Sequence, residues 1–189
     1  EASSGKIKVR FTSFREGITL AVVEKMPAGS QYAFRFNWNG DPTPLSSWEE
    51  WTAHGWTDRV HIPAGNTGFL VGVGVNPEFR GEEFEHNLRF PHPMRISELL
   101  IARTLDNLFE FGVKQVIANA RIPLYHTHPE MDVQSYCTLR REDGKLFDPV
   151  LRFHERMGAK ILKPVEYSME DKESRNGGCW VLYSSPFNV

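Results

Sequence analysis

Only two cysteines, Cys137 and Cys179, occur in 189 residues. That is too few for a disulfide framework, so a reducing compartment is expected and the fold must rest on an apolar core. One domain spanning residues 1–189 is the economical reading, with length enough to bury such a core. No apolar run approaches the ~18 residues of a membrane span, which argues against a membrane partner. A cationic surplus is also missing: the formal net charge is -2, whereas a nucleic-acid partner needs a basic face. The resulting expectation is a cytoplasmic protein. Residues 1–5, Glu1 to Gly5, have neither the basic start nor the apolar stretch of a signal peptide and read as a linker. Internal repeats and low-complexity tracts are absent as well.

The chain is organised around Gly68–Gly112, which reads as strand, bend, inserted loop and helix. Thr67 to Val75 is a near-continuous apolar run, the pattern of a strand buried on both faces, and Asn76-Pro77 stops it. From Ile96 a helical period begins, with Leu99, Leu100, Leu105, Leu108 and Phe109 on one side, Ser97 as the expected N-cap and Gly112 as the C-terminal cap. A strand that hands over to a helix start gathers free N–H groups and the positive end of the helix dipole, which suits an anion.

Around this centre, Lys6–Thr12, Ile18–Glu24 and Gln31–Trp38 read as successive antiparallel strands, with a hairpin turn at Gly29-Ser30 and Tyr32, Phe34, Phe36 and Trp38 on one face. Ser47 to Glu50 is a capping-box pattern opening a short helix that ends by Gly55. Lys114–Ala120 reads as a strand parallel to the preceding one, because a helix connects them. Met131–Arg141 reads as a helix and Asp143-Gly144 as a turn. Asp148, Pro149 and Gly158 bracket a second helix as cap, first-turn proline and stop. Ala159–Tyr167 and Cys179–Ser184 complete the strands.

Val75, Pro77, Arg80 and Gly81, followed by an amphipathic helix, form a V-x-P-x-x-R-G pattern that resembles the acyl-CoA-binding centre of the GNAT (Gcn5-related N-acetyltransferase) superfamily. The resemblance implies an α/β fold with a mixed, mostly antiparallel central sheet, a splayed parallel strand pair and helices on both faces. It also implies that the first strand is followed by one or two helices, for which this sequence has almost no room. CoA-binding positions carried over are Val75, Arg80, Gly81, Arg95, Ile96 and Ser97, with CoA or a phosphopantetheine thioester as cofactor if the domain is active. The family's glycine loop is replaced by Glu82, Glu83, Phe84 and Glu85 and a polar segment to Pro93. Three carboxylates there would repel a pyrophosphate, so weak CoA binding is expected.

Arg121 to Tyr125, the D-P-x-L-x-F-H helix from Asp148 to His154, Pro164 to Tyr167 and Asp171 resemble a GNAT subgroup found in loading regions of curacin- and apratoxin-type polyketide synthases. Active members decarboxylate malonyl groups and pass the acetyl group from CoA to an acyl carrier protein. The resemblance implies three chemical roles, of which His154 matches the histidine. Ala120 stands where a threonine is expected, and Ser168 or Met169 where an arginine is expected. A methyl cannot hydrogen-bond an enolate, and neither a hydroxyl nor a thioether can neutralise a carboxylate. The expectation is a catalytically degenerate domain, structural or docking to an acyl carrier protein and neighbouring synthase domains, with a methyltransferase as one candidate neighbour. Alternatives are an active acyl-CoA-dependent acyltransferase or malonyl decarboxylase using His154, and a free-standing N-acetyltransferase with Tyr125 or Tyr136 as acid. For His154 the competing reading is a buried, hydrogen-bonded core histidine with no open tunnel to the helix start. His126, His128, Glu130 and Asp132 have the residue types of a metal site, but a solvated loop is the simpler reading and no metal is expected. Glu78 reads as solvent-facing and Cys179 as core filling; Trp48, Trp51 and Trp56 either line an acyl tunnel or seal a helix onto the sheet.

Overall fold

The computed structural model describes residues 3–88 and 93–185. Glu1 and Ala2 of the expected linker, and residues 89–92 of the insertion, lie outside them. One sheet carries six strands in the order β1 (Ile18–Val23), β2 (Met26–Phe36), β3 (Thr67–Val75), β6 (Gln115–Arg121), β8 (Gly178–Ser184) and β7 (Lys160–Val165). Every neighbouring pair is antiparallel except β3 and β6, which are parallel and joined through α3 (Ile96–Glu110). A separate two-stranded ribbon, β4 (Glu83–Phe84) with β5 (Met94–Arg95), folds the insertion back to the start of α3.

The N-terminus departs from the sequence reading. Lys6–Thr12 is not a strand but part of α1 (Ser4–Ser13), and Ser4 and Gly5 belong to that helix rather than to a linker. Ser3 Oγ caps it by accepting from Lys6 N. Lys6 and Arg10, one helical turn apart, reach the rings of Trp56 and Tyr32 at 5.9 and 5.1 Å. These contacts outweigh the alternation of Ile7, Val9 and Phe11, and Ile7 and Phe11 remain exposed. The hairpin turn lies at Glu24-Lys25, both with positive φ, and not at Gly29-Ser30, which are inside β2. Gly29 is required there for close approach: a Cβ would sit 2.7 Å from the Gly74 carbonyl oxygen.

Alternate strand residues feed two cores. Leu70, Val116, Ala118, Val181 and Tyr183 face α3 and α5 (Pro149–Arg156), packing with Ile101, Leu105, Leu108 and Leu151. On the opposite face Phe34, Phe36, Phe69, Ile117 and Trp180 form an aromatic layer, covered by Trp51 of the short helix α2 (Trp48–Trp51). Tyr32, Phe34, Phe36 and Trp38 share this layer as their alternation predicts. Ser47 caps α2 by accepting from Glu50 N, whose carboxylate bonds Ser46 Oγ instead of closing a capping box.

β3 is buried from Thr67 to Val71 but exposed at Gly72, Val73 and Gly74, so the expected burial along its whole length fails in the second half. The register shift opposite Tyr32 and Ala33 leaves Val71 as the extra residue of a bulge, and pairing with β6 ends at Leu70 with Ala118. Beyond that point the two parallel strands part.

Helix α3 starts one residue before the expected cap. Arg95 is the N-cap, its N–H donating to Glu98 Oε2 at 2.8 Å, because the β4–β5 ribbon keeps the chain extended as far as Arg95. Gly112, at φ 80°, follows the helix as expected. The helix expected over Met131–Arg141 shrinks to α4 (Val133–Thr138), capped by Asp132 and ended where Arg140 bridges to Leu146. Helix α5 has the caps that its sequence announces. Buried Asp148 accepts from Val150 N and Leu151 N with Oδ1, and from Tyr136 Oη and Leu124 N with Oδ2.

Candidate active site

Where β3 and β6 separate, a cleft of about 620 Å³ opens. Its walls are Leu70 to Val73, Ala118 to Arg121, Ser97 and Ile101 of α3, and Pro149, Val150, Phe153 and His154 of α5. Trp48, Met169 and Glu170 close it from the loop side. One cleft is lined by both His154 and Ser97, so His154 is not walled off from the start of α3 as expected; Gly81 is not among the lining residues. The reason is the bulge at Val71, which no local pattern announces.

His154 is 8% exposed, and its Nδ1 lies 2.6 Å from Tyr183 Oη. It is thus buried and hydrogen-bonded, as the structural reading requires, while also facing the cleft. Burial pulls its pKa down to about 4, so at neutral pH the imidazole is uncharged. Burial pushes the Tyr183 phenol up, so it keeps its proton. When the Tyr183 hydroxyl donates to Nδ1, the imidazole proton resides on Nε2; in the other tautomer Nδ1–H donates to Tyr183. In either form the neutral ring does not act as an imidazolium acid.

Ala120 and Met169 line the same cleft as His154, at the places expected to hold a hydroxyl and a cation. Ser168 does not compete for the second position. It is fully buried, with Oγ donating to Asn119 Oδ1 at 2.7 Å and its carbonyl accepting from Trp48 N at 2.7 Å. The one arginine among the lining residues, Arg121, is held at 3.0 and 3.1 Å by Asp171 and also by Glu173. Its charge is already matched. Glu49 and Glu170 add carboxylates to the cleft, so nothing here favours a second anion.

The other carried-over CoA positions scatter. Ser97 lines the cleft, Ile96 is buried in a small core with Ala28 and Leu100, and Arg95 lines a different pocket. Val75, Arg80 and Gly81 lie on the bend, with Arg80 Nε donating to the Val75 carbonyl at 3.2 Å and Gly81 at φ 88°. At the helix start the Glu98 carboxylate, 3% exposed, accepts from the Arg95 N–H.

Neither tyrosine of the N-acetyltransferase alternative lines the cleft. Tyr125 Oη donates to the Met131 carbonyl at 3.0 Å, and Tyr136 Oη to Asp148 Oδ2 at 2.9 Å. His126 Nδ1 lies 2.9 Å from the Pro123 carbonyl, and His128 packs on Tyr136 and Phe147. Among the described residues no group of three or more His, Cys, Asp or Glu is placed to hold a metal ion, and no helix is long and apolar enough to cross a membrane. Glu78 is exposed on the bend, and Cys179 is buried. Trp48 divides the tunnel and seal readings: it lines the cleft while its Nε1 donates to the Val71 carbonyl at 3.1 Å. Trp51 seals the aromatic layer, and Trp56 stacks under Lys6 and Arg59.

Sequence reasoning missed Tyr183, Asn119 and Glu49. Tyr183 was within reach, because Cys179, Val181 and Tyr183 alternate onto the helix-facing side of β8. Asn119 sits one residue before a flagged position, with its buried Nδ2 lacking a hydrogen-bond partner. Nothing local marks Glu49.

No family model matches the chain. It is 26% identical over 186 residues to the uncharacterized N-acetyltransferase YkwB of Bacillus subtilis (strain 168), covering 98% of this chain and 76% of that protein. Among solved structures, the loading GNATL domain of CurA from Lyngbya majuscula superposes with a TM-score of 0.77 at 22% identity, covering 97% of this chain and 84% of that one. The GNAT-like decarboxylase GphF, in complex with isobutyryl-CoA, superposes with a TM-score of 0.72 at 23% identity, covering 97% and 86%.

Proposed function

This chain has the GNAT fold, and from that premise we propose that its cleft holds an uncharged acyl thioester without decarboxylating a malonyl group. In this reading it is a degenerate relative of the polyketide loading domains, presenting an acyl-binding cleft to an acyl carrier protein and neighbouring synthase domains. One observation carries it. The cleft joins His154, Ala120 and Met169 in one space whose one arginine among the described residues, Arg121, is already matched by Asp171 and Glu173. A malonyl carboxylate would enter a mainly apolar site in which no described residue supplies a free cation, at the cost of an uncompensated charge. An acetyl or branched acyl chain meets Leu70, Ile101, Val150 and Phe153 without that penalty.

A second reading, an active acyltransferase on neutral acyl groups, draws support from the His154 geometry. In the tautomer that carries its proton on Nε2, the ring polarises a thioester carbonyl and stabilises the oxyanion of acyl transfer. Mass spectrometry of the protein with malonyl-CoA, acetyl-CoA and a phosphopantetheinylated carrier protein separates the cases. The proposal expects acyl-CoA binding and no decarboxylation above the spontaneous rate. Ala120→Thr combined with Met169→Arg should then raise malonyl affinity by about tenfold, the worth of one charge-assisted pair. Malonyl turnover by the unaltered protein that disappears in His154→Ala overturns it.

A further inference from the structure

We infer that a pocket on the aromatic face of the sheet, between α2 and the segment 59–62, binds a zwitterionic α-amino acid with an apolar side chain. This goes beyond the acyl-thioester reading and does not depend on it. The pocket measures about 530 Å³, the size of a small-molecule site. It has no lining residue in common with the cleft, and α2 stands between the two: Trp48 and Glu49 line the cleft, Glu50 and Trp51 the pocket.

The site is built in advance. Ile62 N–H donates to the Arg35 carbonyl at 2.7 Å and Gly65 N–H to the Ile62 carbonyl at 2.8 Å, while Arg35 Nε and Nη2 donate to the Gly65 carbonyl at 3.2 and 3.0 Å. These bonds pin the segment 59–62 to β2, so a ligand need not order it. Phe36, Trp51, Val60 and Ile62 supply the apolar lining, with the Phe36 and Trp51 rings edge-on at 5.6 Å and Ile62 39% exposed.

Two opposite charges share this space, and no ion pair joins either of them to another described residue. Glu50 accepts from Ser46 Oγ with Oε2, which leaves Oε1 open. Arg59 lies over the Trp56 ring at 5.7 Å and donates no side-chain hydrogen bond among the described residues, so its guanidinium fork is available. His61 adds a neutral donor. Its Nδ1 accepts the Arg35 N–H at 3.2 Å, which puts the proton of the neutral ring on Nε2, and burial lowers its pKa and keeps the ring uncharged.

The pairing of charges selects the ligand. A simple anion would meet Glu50, and a simple cation would meet Arg59. A molecule carrying both charges satisfies both residues, its carboxylate on Arg59 and the His61 N–H and its ammonium on Glu50. The lining then takes an apolar side chain out of water.

Calorimetry with three probes tests the inference: phenylalanine, 3-phenylpropionate, which lacks the ammonium, and phenylalaninamide, which lacks the carboxylate. Each is titrated into the full chain and into its Arg59→Gln and Glu50→Gln variants. Glutamine at 50 keeps an acceptor for Ser46, and the melting temperature of each variant reports whether it is intact. The expected result is that phenylalanine binds about tenfold or more tighter than either analogue. Arg59→Gln should then weaken phenylalanine and 3-phenylpropionate but not the amide, and Glu50→Gln phenylalanine and the amide but not 3-phenylpropionate. Absence of phenylalanine binding at millimolar concentration, an analogue that binds as tightly, or intact variants that bind phenylalanine unchanged would each overturn the inference. The comparison of probes on the unaltered chain decides it even if a variant fails to fold.

Discussion

His154 combines two descriptions that the sequence set against each other. It packs as a core residue and touches the cleft, because α5 lays it against β8 at the rim of the opening. Its depressed pKa makes stability pH-dependent in a definite direction. Above pH 6.5 both folded and unfolded imidazoles are neutral; between 6.5 and about 4 the unfolded chain takes a proton that the folded chain refuses. The fold therefore loses stability as pH falls through that window, by about 3 kcal/mol if the full shift is expressed. Denaturant titrations from pH 7 to 4 should show the slope, and His154→Gln should flatten it. Ala120 and Met169 were found by position along a resemblance, whereas Tyr183 was not. The contact between Tyr183 and His154 joins residues 29 apart through tertiary packing, which no local pattern records.

At the scale of elements, legibility follows the strength of the local signal. Asp148, Pro149 and Gly158 announced α5, because a cap, a fixed φ and a stop agree with one another. Asp148 also serves a purpose invisible in sequence, tying α4 and the segment after β6 to α5 through Tyr136 Oη and Leu124 N. Asp148→Ala should accordingly cost about 3–5 kcal/mol in urea denaturation, more than a surface cap, because it strands buried donors. Asp148→Asn should recover part of the loss by keeping one acceptor. The reading of α1 failed for the opposite reason. Three alternating apolar residues are a weak signal, and Lys6 and Arg10 met aromatic partners far along the chain.

Across the whole molecule, the parallel crossover was legible from the run at Thr67–Val75 and the helix after it, whereas the strand order, with β8 between β6 and β7, was not. Nor was the cleft, since it depends on a bulge and on where pairing stops. Stability should be distributed accordingly. Amides of the paired β3 and β6 segments should exchange hydrogen only through global unfolding, while α1, which contributes no buried residue, should exchange by local opening at much lower free energy. Hydrogen exchange read by mass spectrometry checks this, and equal protection of both would contradict it. The parting of β3 from β6 has one more consequence. A sheet ordinarily has two edges, but this one has further edges in its interior, where residues 72–75 keep β2 on one side and have lost β6 on the other. Trp48 fills one vacant rung through the Val71 carbonyl. The remaining edge groups of residues 72–75 have no second neighbouring strand among the described residues, and the cleft opens beside them.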